Sequence, residues 1–121
     1  MNESQSLGQM GEDLAADLLL KKGFKILHRN WKSGRNEIDI IAENSDRVVF
    51  VEVKTRSNDL FVKPSDLVPV SKQRIIINAA HWYIKRFNVT KESRFDVITV
   101  VQKDGEPVID HVEAAYYPTL R

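Results

Sequence analysis

Two neighbouring β-prone runs, Glu37 to Glu43 and Arg47 to Lys54, carry acids at alternate positions inside otherwise apolar strands. A charge in a buried strand costs free energy unless it is paired or bound. That requirement constrains the fold more than any other feature. Asn44, Ser45 and Asp46 separate the runs and predict a β-hairpin. Alternation puts Glu37, Asp39 and Ile41 on one face of the first strand, and Phe50, Glu52 and Lys54 on one face of the second. A two- or four-residue connection places Asp39 opposite Glu52, Glu37 opposite Lys54 and Ile41 opposite Phe50. A slip of one residue would send Asp39 to the far face.

Ser6 and Gln9 have the spacing of a capping box, and Leu7, Met10, Leu14 and Leu18 then recur at helical intervals until Gly23. This predicts a first helix with Glu12 at the rim of its apolar stripe and with Asp13 and Asp17 in solvent. Phe24 to Trp31 reads as a strand closed by a Ser33-Gly34-Arg35 turn. Pro64 and Pro69 break up the following stretch, leaving a loop with one helical turn at Ser65 to Val68. Ser71 is placed to cap a second helix that carries Ile75, Ala79, Trp82 and Tyr83 and ends near Arg86 to Asn88. Arg94 to Gln102 alternates as a strand, Asp104-Gly105 turns it, and Val108 to Val112 forms the last strand. The order αβββαββ predicts an α/β (α+β) fold, a central mixed sheet flanked by helices.

At 121 residues, 42% hydrophobic and 29% charged, the chain is sized for a single domain over residues 1–121. No apolar run approaches the roughly 18 to 20 residues of a membrane span, and Met1 to Gln9 lacks a signal-peptide pattern. The expected location is cytoplasmic. The absence of cysteine excludes disulfides, thiolate metal sites and cysteine nucleophiles. His28, His81 and His111 show no zinc spacing, and there is no serine–histidine–acid grouping and no Gly-rich phosphate loop. The formal net charge of +1 hides two basic blocks, residues 21–36 and 71–94, on either side of an acidic centre. That distribution suits an enzyme or a binding module working on a phosphate backbone.

Two carboxylates about 5 Å apart repel by roughly 3 kcal/mol at an effective dielectric near 20. A hard dication such as Mg²⁺ or Mn²⁺ removes that repulsion, taking one or two carboxylates and keeping water for substrate phosphates. Asp39 and Glu52 are the expected metal ligands, with Glu12 as a third carboxylate. Lys54 places an ammonium where an attacking water or a developing charge would sit. Arg56, at the end of the same strand, and Arg35, in the turn, are candidate phosphate contacts. Lys72 and Gln73 open the second helix, whose N-terminal amides suit an anion. Trp31, Trp82 and Tyr83 are expected in the core rather than on bases.

Gly11-Glu12, Asn36 to Ala42 and Val49 to Arg56 together resemble the YraN-like family of bacterial proteins. That family is a branch of the restriction-endonuclease-like PD-(D/E)xK nuclease superfamily, akin to archaeal Holliday junction resolvases. The resemblance runs from about Gly8 to the last strand. It implies a Mg²⁺- or Mn²⁺-dependent endonuclease acting on DNA, branched or otherwise structured. In it Asp39 and Glu52 hold metal, Lys54 is the catalytic lysine, and Glu12 is the helix-borne acid of the junction-resolving branch. Two alternatives stand beside it: a non-catalytic nucleic-acid-binding module acting with a partner protein, and an interaction protein that joins subunits. A homodimer would let so small a nuclease engage two strands.

Overall fold

The computed structural model describes residues 3–56 and 68–118. The first helix, α1, runs Glu3–Lys21 and therefore starts upstream of the expected cap; Ser6 lies within it. No residue of Glu3 to Gln5 opposes helix formation, so the backbone helix extends past Ser6 although the apolar period does not. Its end lies where the glycine predicts. Gly23 adopts a φ of 91°, and the Phe24 N–H donates to the Leu19 carbonyl at 3.0 Å, which closes the last turn.

Three antiparallel strands follow: β1 (Lys25–Ser33), β2 (Asn36–Glu43) and β3 (Arg47–Arg56). Gly34-Arg35 forms a two-residue turn between paired Ser33 and Asn36. At the next connection, Asn44 Oδ1 accepts the N–H groups of Asp46 and Arg47 at 2.9 and 3.0 Å. That local bonding sets the register, Ile40 opposite Val51, Ile41 opposite Phe50 and Ala42 opposite Val49. This is the expected register, held from Glu43 and Val48 as far as Ile40 and Val51.

The second helix, α2 (Val70–Arg86), crosses over to β4 (Glu92–Lys103), which lies parallel to β3. An Asp104-Gly105 turn, both residues at positive φ, leads into β5 (Glu106–Tyr116). The five strands form one mixed sheet in the order β1-β2-β3-β4-β5. The architecture is therefore α+β with the element order αβββαββ. On one face, Ala15, Ala16 and Leu19 of α1 cover Ile40, Val49, Val51 and Ile98. On the other, Ile76, Ala79, Ala80 and Tyr83 of α2 cover Ile41, Phe50, Phe95 and Val97.

Two expectations about α2 fail. Pro69, with ψ of 152°, is its N-cap and offers no side-chain cap, whereas Ser71 sits in the first turn. Proline is already fixed near helical φ and needs no N–H there, so the helix starts at it. The buried stripe is Ile76, Ala79, Ala80 and Tyr83; Ile75 and Trp82 point outward, Trp82 56% exposed. Two alanines let α2 lie close on the sheet, and that contact rotates Trp82 away from the core. There Lys85 Nζ sits 5.8 Å from its ring centre. Tyr83 is core, and Trp31 packs edge-on against it. The helical turn expected from Ser65 lies outside the described residues except at Val68, a buried bend.

Candidate active site

The parallel pairing of β3 with β4, together with the two flanking hairpins, gathers several segments at one end of the sheet. These are the β1–β2 turn, the start of β2, the end of β3 and the start of α2. α1 reaches the same end because Gly11 has no side chain. A Cβ there would overlap Thr55 Oγ1 and lie 3.0 Å from Thr55 Cβ and Cγ2. Nearby, the Gln102 side chain meets Met10 Sδ at 3.3 Å.

The β2–β3 ladder stops at Ile40 and Val51. Beyond that point the Val53 N–H donates to Asp39 Oδ2 at 2.8 Å, a side chain taking the place of a ladder carbonyl. Regular alternation also slips here, since Ile38 and Ile41 both pack under α2 while Ile40 packs under α1. On β1, Asn30 compensates with a φ of 53°. The strands open, and the expected contacts of Asp39 with Glu52 and of Glu37 with Lys54 are not ladder pairs.

Asp39 and Glu52 nevertheless share one electrostatic environment. Burial raises the Asp39 carboxyl most, the Glu52 charge adds to it, and the Val53 N–H opposes both; the balance is about 7. Glu52 is only 6% exposed, and its Oε1 accepts from Lys54 Nζ at 3.1 Å and Lys72 Nζ at 2.9 Å. The bond to Glu52 holds the Lys72 ammonium above the ordinary lysine range. Two acids and two ammonium groups from β2, β3 and α2 thus meet at the opening of the hairpin.

The other expected residues lie around this cluster in different states. Glu12 Oε1 accepts from Arg29 Nε and Asn30 Nδ2, both at 3.0 Å, and Arg29 also bridges to Asp13. Among the described residues no three histidine or acidic side chains gather as a ready ion cage, although the Glu12 charge is among those that raise the Asp39 carboxyl. The Gln73 amide is committed to the Val68 carbonyl at 2.9 Å. Arg56 and Arg35 are exposed, and Arg56 Nη1 donates to the adjacent Thr55 carbonyl at 3.0 Å. The basic blocks are partly neutralised: Arg29 is paired, and Lys91 bonds Glu43 at the other end of the sheet.

Sequence reasoning missed a second buried acid. Asp96 is fully buried beside α1's face of the sheet, bound by Arg94 Nε and Nη2 at 2.8 and 2.9 Å and by the Ala114 N–H at 3.0 Å. His111 Nε2 lies 2.8 Å from it, and Lys22 Nζ caps His111 Nδ1 at 2.8 Å. A charge within the apolar run Phe95 to Val100 was the available signal, the same one that marked Glu52. Asp96 is saturated by Arg94, His111 and the Ala114 N–H, whereas among the described residues Asp39 accepts from the Val53 N–H alone, so of these two buried sites the Asp39–Glu52 pair retains lone pairs for a ligand.

Fold and site together define an α+β protein whose central hairpin carries an acidic pair at its open end. Within that class the chain belongs to the uncharacterised protein family UPF0102, whose profile matches residues 11–100. A UPF0102 protein of Bacteroides thetaiotaomicron is 43% identical over 120 residues, 99% of either chain. One from Flavobacterium psychrophilum is 42% identical over 117 residues, 97% of this chain and 98% of that one. Among solved structures, SfsA of Pyrococcus furiosus in complex with Ca²⁺ aligns with a TM-score of 0.36 and 16% identity, over 91% of this chain and 63% of that one. Among the described residues, no helix is long and apolar enough to cross a membrane.

Proposed function

We propose that the protein is a divalent-metal-dependent endonuclease that hydrolyses phosphodiester bonds in DNA, with branched or structured DNA as its substrate class. The observation that carries this reading is the Asp39–Glu52 pair at the open end of the hairpin, with the Asp39 carboxyl pushed up to about 7 beside two ammonium groups. A sheet serving structure alone gains nothing from placing two acids where each disfavours the other's charge. The donor set fits a hard dication: two carboxylates from rigid strands, with the remaining positions open to water and phosphate oxygens.

Asp39 and Glu52 would hold Mg²⁺ or Mn²⁺, which when bound supplies charge stabilisation at the phosphate and an acidified water. Asp39 loses its proton more readily as a cation approaches, so its ionisation and ion binding reinforce each other. Lys54, 16% exposed and on the same strand face as Glu52, would hold the attacking water and stabilise developing negative charge. Arg56 and Arg35, at the same end of the sheet, are free to contact the backbone of the bound strand. Glu12, whose charge reaches Asp39, would serve as the third carboxylate only on giving up its bonds from Arg29 and Asn30.

A cleavage screen over nicked, flapped and four-way-junction DNA in Mg²⁺ and Mn²⁺ tests the reading, with Asp39→Asn and Lys54→Ala as controls. Divalent-dependent products lost in both variants are expected. Intact DNA of every form at high protein concentration would overturn it. The second reading is an ion-independent nucleic-acid-binding module, favoured by the neutralisation of Glu52 by Lys54 and Lys72. Binding unaffected by EDTA and by Asp39→Asn, with no cleavage, would select it.

A further inference from the structure

Glu52 is too buried to stand as a lone anion, so the free protein must supply it with a counter-charge. Among the described residues it has two, and they are unequal. Lys54 extends from the same strand two residues on and is 16% exposed, whereas Lys72 comes from the first turn of α2 and is 44% exposed. Both ammonium groups bond the same oxygen, Glu52 Oε1. A dication at that carboxylate would make one of them redundant and repel both. Lys72 is the one that can leave: it has a flexible stem, open solvent beside it, and no acid in the first turn of its helix to recapture it.

From these contacts we infer that Lys72 is a positioning residue with two stations, Glu52 in the ion-free protein and a nucleic-acid phosphate in the loaded one. The inference rests on the metal-dependent reading of the site. In the ion-free state Lys72 screens Glu52 and competes with the dication for Oε1. When nucleic acid arrives, a phosphate offers the ammonium a better partner, Glu52 is released, and ion affinity rises. By linkage the ion must strengthen nucleic-acid binding by the same factor. The site therefore loads its ion mainly when a substrate backbone is present.

Calorimetric titration of Ca²⁺, a hard ion that seeks oxygen ligands, tests this on the full-length protein with and without a synthetic four-way DNA junction. Wild type, Lys72→Gln and Arg74→Gln are compared, the last removing an equal charge from an exposed neighbour on the same helix. Without DNA, Lys72→Gln is expected to bind Ca²⁺ about 5-fold or more tightly than wild type, the lower end of typical coupling between sites, and Arg74→Gln less than about 2-fold. The junction is expected to tighten Ca²⁺ binding markedly in wild type and far less in Lys72→Gln. Equal ion affinity in wild type and Lys72→Gln, or an equal gain in Arg74→Gln, overturns the role of Lys72 and leaves the metal site standing. Absence of any Ca²⁺ or Mn²⁺ binding that Asp39→Asn alters overturns both.

Discussion

The Val53 N–H meets Asp39 Oδ2 at 2.8 Å at the point where the ladder between β2 and β3 ends. One side chain thereby satisfies the backbone donor that the parting strands expose, and it is held beside Glu52 as a consequence. The same bond that keeps the hairpin from fraying orients an acid whose carboxyl burial and the Glu52 charge raise.

The pH dependence of stability follows from that acid. The Asp39 pKa is raised in the folded protein from 3.8 to about 7, so the folded state holds a proton that the unfolded chain has released. This contribution is complete below about pH 4 and is lost as pH rises through 7. Asp39→Asn is expected to remove the loss, gaining on wild type by a few kcal/mol, order of magnitude, between acid and alkaline ends. Thermal unfolding of both proteins from about pH 4 to 8 checks it; parallel curves would refute the shift.

Asp96 has the opposite sign. Its carboxyl is held below the ordinary range by His111, Arg94 and the Ala114 N–H, against burial that would raise it, so its contribution is present at neutral pH and lost on acidification. Asp96→Ala leaves Arg94 half-buried without its main partner and is expected to cost about 3 kcal/mol or more in urea unfolding. Asp13→Ala, which breaks an exposed bridge to Arg29, should leave the urea midpoint nearly unchanged.

Close approach of α1 to β3 depends on Gly11. Gly11→Ala gains about 1 kcal/mol of helix propensity but forces its methyl into Thr55, and overpacking of this kind costs roughly 1–3 kcal/mol. Net destabilisation is expected, with partial recovery in Gly11→Ala/Thr55→Ala. Strict additivity of the two changes would show that the helix does not touch the strand there.

Nucleic-acid binding should be asymmetric across the sheet. Arg56→Ala is expected to lower the slope of log affinity against log salt by about 1. Lys91→Ala, which loses a bridge to Glu43 at the opposite end, should leave the slope unchanged. Anisotropy titrations of a labelled four-way junction at several salt concentrations decide this.

Much of the fold was legible because its determinants are local. Gly23 stops α1, Asp104-Gly105 turns β4 into β5, and the Asn44 side chain bonds the backbone two and three residues on, which holds the hairpin register. Where prediction failed, distant contacts outweighed local preference. Trp82 follows a helical period that fits a core, but Ala79 and Ala80 let α2 settle on the sheet with a different stripe inward. Asp96 carried the same warning as Glu52, a charge in an apolar strand, yet its partner His111, and the Lys22 that caps His111, reach it only once β4, β5 and α1 are packed.

By itself the amino-acid order determined the seven elements in sequence, the pairing of the central hairpin and the presence of two acids at its end. It did so because strand alternation, helical period and turn chemistry act over a few residues. Only tertiary structure decided which cations those acids meet. Lys72 reaches Glu52 from a helix beyond the crossover, and Arg29 takes Glu12 for itself. Such long-range ionic partners are chosen by distance in space, and, unlike the Glu52–Lys54 spacing on one strand, nothing along the chain encodes it.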